Sequence, residues 1–87
     1  MKINEVTEVE WPGWYVDSIE DGVAILRSDW TYDPAAEIKI TLESDNFVTV
    51  SYSGVNGDGV FFHAANLTLE DLSKRTIDAA NDYFEYE

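Results

Sequence analysis

The alternation of apolar and polar residues from Glu37 to Tyr52 restricts the fold more than any other feature of the chain. Ile38, Ile40 and Leu42 fall on one side of an extended backbone, with Glu37, Lys39, Thr41 and Glu43 on the other. Val48, Val50 and Tyr52 repeat the pattern beyond Ser44-Asp45-Asn46. A period of two marks a strand with one buried face, and two such runs around a polar turn make an antiparallel hairpin. A further hairpin is read upstream, where WYVDSI and VAILRS flank Glu20-Asp21-Gly22. Gly22 can take the left-handed conformation that such a turn demands. With three loop residues, Trp14, Val16, Ala24 and Leu26 share one face, and Asp17 and Arg27 lie on the other. Trp11-Pro12-Gly13-Trp14 has the residues of a type II turn. Residues 1–10 suit a short helix, an edge strand or a mobile arm. Asp33-Pro34-Ala35-Ala36 breaks the chain, and the glycine-rich SGVNGDG reads as a flexible connection into a fifth strand, VFFHAA.

After Leu67 the period changes. Thr68 is placed to cap a helix, with Asp71 at the third helical position and Leu67 and Leu72 set as a hydrophobic staple. Glu70 and Asp71 suit the positive end of the helix dipole. At 100° per residue Leu69, Leu72, Thr76, Ile77, Ala80, Tyr83 and Phe84 gather on one packed face. The expected fold is therefore α+β: an antiparallel sheet of four to five strands, two hairpins plus a further strand, packed on one C-terminal helix. One domain should span residues 1–87. A chain of this size buries only roughly 60–65 % of its unfolded surface. It has no cysteine to staple it, so its twelve aromatic rings must supply much of the core. MKINEVTEVE has no apolar run behind Lys2, and no stretch approaches the ~18–20 apolar residues of a membrane span. The expectation is a soluble protein of the cytoplasm.

Charge is the outlying property. Eighteen acids face five bases, a formal net charge of −13. Solubility of a small domain asks for a magnitude of only ~2–8. Bare nucleic acid and anionic membrane would both be repelled, so neither is an expected partner, whereas a basic protein surface would be attracted. On the helical wheel Asp71, Asp78, Asp82 and Glu85 occupy a narrow sector opposite the packed face, a line of roughly 21 Å. From Thr76 to Glu87 no lysine or arginine interrupts it. Asp78 and Asp82 are like charges four residues apart, and late acids face the negative end of the dipole, each a cost of a few tenths of a kcal/mol. Local rules broken without local return mark function. Carboxylates at this density can stand where phosphates would lie in a Lys/Arg-lined groove. Trp30, flanked by Asp29 and Asp33, joins the expected partner-binding set as an aromatic anchor among acids.

Catalytic signatures are weak. His63 is the single histidine and has neither a nucleophile elbow nor a cysteine beside it, so it reads as a hydrogen-bonded structural residue. Gly54, Gly57 and Gly59 lack the Gly-Lys-Ser/Thr ending of a phosphate loop. A calcium loop would need an acid at Gly54 and a glutamate at Ala65. The chain is read as a non-enzymatic protein without cofactor or metal. In size, acidity and lack of catalytic apparatus it looks like the small phage-encoded counter-defence proteins, including anti-CRISPR and anti-restriction DNA mimics. That likeness is of kind, rests on no motif and assigns no residue roles. It implies an inhibitor of a basic nucleic-acid-binding protein, a nuclease or repressor, acting in the host cytoplasm. Two other readings stand beside it: an interaction module whose acidity only confers solubility, and an immunity protein for a nuclease toxin.

Overall fold

The computed structural model describes residues 1–28 and 33–84. A 3₁₀-helix, Ile3–Glu8, is followed by strands β1 (Trp14–Glu20), β2 (Val23–Ser28), β3 (Glu37–Ser44), β4 (Phe47–Gly54) and β5 (Gly57–Ala65), then by helix α1 (Leu69–Tyr83). The strands pair antiparallel in chain order, β1-β2-β3-β4-β5, as a meander. The fold is thus the α+β arrangement that the alternating pattern and the terminal helix predict, with all five strands in one sheet.

The turns are tighter than the sequence suggests. Asp21 and Gly22 both have positive φ, 51° and 77°, the two-residue geometry whose twist matches that of the flanking strands. The third loop residue is instead spent on an irregularity between Val16 and Ser18. An extra residue within a strand changes side-chain parity just as one in the loop does. Trp14, Val16, Ala24 and Leu26 therefore still share a face, and Arg27 meets Asp17 on the other, Nε to Oδ2 at 3.4 Å. The same device recurs between β3 and β4, where a shift separates Leu42 from Ser44.

The glycine-rich segment is not a flexible connection. Gly54 pairs with Gly57 around Val55-Asn56, and β5 begins at Gly57, three residues before the expected start. Glycine is used here for close approach. A Cβ on Gly54 would strike the Asp33 carboxylate, and one on Gly59 would lie 2.6 Å from the Tyr52 hydroxyl oxygen and 2.9 Å from its Cζ.

Ala24, Leu26, Ile38, Ile40, Val48 and Val50 form the inner face of the sheet, and Leu72, Ile77 and Ala80 of α1, with Phe84 just past its end, complete the core with Val6 and Trp11. Of the three options for residues 1–10 the chain takes the helical one. Val6 is fully buried, and the Trp11 Nε1–H donates to its carbonyl at 2.8 Å. The Trp11–Trp14 turn forms as expected, with Gly13 at φ 85° and the Trp14 N–H donating to the Trp11 carbonyl at 2.7 Å.

Thr68 caps α1, its hydroxyl accepting the Asp71 N–H at 3.1 Å. Leu72, Thr76, Ile77 and Ala80 are buried as read; Leu69 is half-buried and Tyr83 is 39 % exposed. Ser73, absent from the predicted face, is buried because its hydroxyl donates to the Glu10 carbonyl and binds the helix to the chain before β1. The Thr76 hydroxyl is fully buried and, among the described residues, has no hydrogen-bond partner. A buried hydroxyl without a partner forfeits the hydrogen bonds it made with water. Thr76→Val, which exchanges that hydroxyl for a methyl, is therefore expected to stabilise the fold by about 1 kcal/mol, read as a higher urea midpoint at constant m-value.

Candidate acidic docking surface

The helix that closes the core also carries acids away from it. Asp71, Asp78 and Asp82 are exposed, on the side of α1 opposite Leu72 and Thr76. Glu85, Asp29 and Trp30 lie outside the described residues. The line is not uniform. Lys74 and Arg75 are one turn from both Asp71 and Asp78, within roughly 40–60° of Asp71 on the wheel, and both are exposed. Arg75 leans toward the sheet, its Cζ 4.6 Å from the Phe62 ring centroid, which gives the cation a π-face to rest on. Among the described residues, the ion pairs formed are those of Arg27 with Asp17 and Glu37 on the outer sheet face. Asp71 and Asp78 thus each have bases one turn away, although neither forms an ion pair among the described residues. Asp82, roughly 6 Å beyond Asp78 along the axis, has none within a turn.

Further acids meet the C-terminal end of α1 from the sheet. Phe84 packs on Trp14, with ring centroids 5.5 Å apart, and Tyr83 packs on Tyr52 at 4.1 Å. These contacts set Tyr83 over the β4–β5 end of the sheet. Its phenol is pushed above the ordinary tyrosine range, first by loss of solvent, then by Tyr52, then by the charges of Asp33 and Asp58. Two carboxylates from outside the helix therefore act on the same corner.

Asp33 does not stand free for a partner. Its Oδ1 accepts the Ala35 N–H at 2.9 Å and its Oδ2 the Val55 N–H at 3.0 Å. It is half-buried and ties the chain before β3 to the β4–β5 turn, adding charge to the corner without an open carboxylate edge. The Asp-Pro-Ala segment signals this, since an Asx side chain commonly accepts the N–H two residues on. Asp58 and Tyr83 were not among the predicted site residues. Only the pairing of β4 with β5 brings Asp58 here, opposite Ser53.

His63 is structural in its contacts. Its Nδ1 lies 2.9 Å from the Thr49 hydroxyl, and its ring stacks on Phe47 at 6.1 Å. Among the described residues, no three His, Cys, Asp or Glu side chains gather as metal ligands, and no helix is long and apolar enough to cross a membrane. Comparison with protein-family models, curated proteins and solved structures gives no match.

Proposed function

We propose that the protein is a non-enzymatic inhibitor that docks its acidic helix in the nucleic-acid-binding groove of a basic protein. The observation that carries this reading is the pair Asp78 and Asp82, exposed and without ion pairs among the described residues, on a chain of net charge −13. Held on a rigid helix whose inner side is locked into the core, the two charges keep a fixed spacing and lose little entropy on docking. The target is a nuclease or repressor whose cationic groove ordinarily tracks phosphates. Phage counter-defence, of the anti-CRISPR or anti-restriction kind, is the setting that such chemistry fits, with the host cytoplasm as its place. A nuclease toxin as target would make the same surface that of an immunity protein.

Competition at graded salt tests the proposal. Capture from a bacterial lysate on the immobilised protein should retain a DNA- or RNA-binding protein that elutes at intermediate salt. Added duplex DNA should displace it, and its affinity should fall steeply between 50 and about 200 mM salt, as contacts to phosphate do. A partner held equally well across that range would point instead to an interaction module centred on apolar contacts, for which Tyr15 (45 % exposed) and Val60 (52 %) on the outer sheet face offer material.

A further inference from the structure

Beside the acidic line, α1 and the chain before β1 enclose a groove of about 380 Å³. Val9, Pro12 and Ile77 give it apolar walls, while Glu10, Glu70 and Asp78 stand exposed around it, with Lys74 on the same rim. Its walls are fixed before any partner arrives. The Ser73 hydroxyl donates to the Glu10 carbonyl across the base, and the Trp11–Trp14 turn is closed by its own backbone hydrogen bond. The volume lies at the low end of the range for ligand pockets and is ample for one long side chain.

We propose that this groove seats a single lysine or arginine side chain of the basic partner, its methylene stem on Val9, Pro12 and Ile77 and its charged head toward Glu10 and Asp78, with Glu70 at the other end of the rim, roughly 12 Å from Asp78 along the axis. Complementarity argues for this occupant: an apolar floor rimmed by carboxylates matches a side chain that is hydrocarbon along its length and cationic at its tip. Glu10 and Asp78 come from separate segments, so no single helical face produces the arrangement. Lys74 is the cation that an incoming side chain must displace from the rim. The inference rests on the charge-mimicry reading, to which it adds a defined point of contact: Asp78 serves both the line and the groove, and Asp82 serves the line alone.

Amide chemical shifts followed by NMR test it. Titration with n-butylammonium chloride should move the signals of Val9, Ser73 and Ile77, whereas ammonium chloride at equal ionic strength should not. In binding to an eight-residue lysine peptide, the double variant Glu10→Gln/Asp78→Asn should lose about tenfold in affinity. Glu20→Gln/Glu43→Gln, equal in charge but remote, should lose about twofold or less. Both positions in the groove variant are exposed, and Glu10 bonds Ser73 through its backbone, so the fold is kept. Equal losses in the two variants, or shifts that follow ionic strength alone, would overturn the groove and leave charge mimicry standing. Selective binding in the groove with no competition against DNA would overturn charge mimicry and leave the groove.

Discussion

Replacing Asp78 and Asp82 together by lysine is expected to weaken competition with DNA for a basic partner by about 100-fold at moderate salt. Each substitution adds two charges, so the net moves from −13 to −9, and two attractive contacts become repulsive ones. Stability should move the other way. The variant removes a repulsion four residues apart and places cations near the negative end of the dipole, together a gain of a few tenths of a kcal/mol. Binding and folding thus part in opposite directions, which a merely destabilising change would not produce. The control is Glu20→Lys/Glu43→Lys, also at −9. Glu20 ends β1, paired with Val23, which in turn pairs with Thr41. That is the end of the sheet away from Trp14 and Tyr52, where the last turn of α1 packs. A comparable loss in the control would mean that only total charge matters. Undiminished competition in the helix variant would remove the charge-mimicry reading altogether.

Gly59→Ala should lower stability by about 2 kcal/mol, more than a surface glycine ordinarily commands. The Tyr52 ring lies against the Gly59 Cα, on the path of any added Cβ. It has little room to withdraw, being clamped by Phe61 at 4.5 Å and Tyr83 at 4.1 Å. Accommodating one methyl would tilt that ring and disturb the seat of Tyr83 and Phe84, and with it the acidic corner. Gly57→Ala is the informative comparison. At Gly57 a Cβ meets nothing within 4 Å, but φ is +118°, so backbone strain of about 1 kcal/mol is the whole expected effect. Urea unfolding gives the two energies, and near-UV circular dichroism should change for Gly59→Ala alone. A neutral Gly59→Ala would show that Tyr52 does not lodge there.

Much of this was legible in the sequence because it depends on local periods. The alternation at Ile38–Leu42 and Val48–Tyr52, the Thr68 cap and the face defined by Leu72, Thr76, Ile77 and Ala80 are properties of single elements, and the structure places them as read. The exposure of Asp71, Asp78 and Asp82 follows from the same wheel. What escaped depends on contacts between distant segments. Ser73 looks polar until Glu10 supplies its acceptor. Gly54 and Gly59 look flexible until the Asp33 carboxylate and the Tyr52 ring are found beside them, and Gly57 until its φ of +118° is seen. Asp33, expected at a partner surface, also holds the β4–β5 turn through the Val55 N–H, a role that no local pattern shows. The even line of charge was also too simple, since Lys74 and Arg75 sit on the same side of the helix near Asp71. Bulges hid the true loop lengths without altering which residues face the core, because parity is conserved wherever the extra residue is placed.

The meander has a kinetic consequence. Each strand joins its immediate predecessor, so every closure is short, costs little loop entropy and can occur in microseconds. Assembly can proceed hairpin by hairpin from either side, but the sheet stays greasy on one surface until α1 lands. The landing of α1 is therefore expected to come late, and it is also what brings Asp78 and Asp82 into position. A ligand that grips those carboxylates would consequently act as a latch on the whole molecule, slowing its opening in proportion to its occupancy.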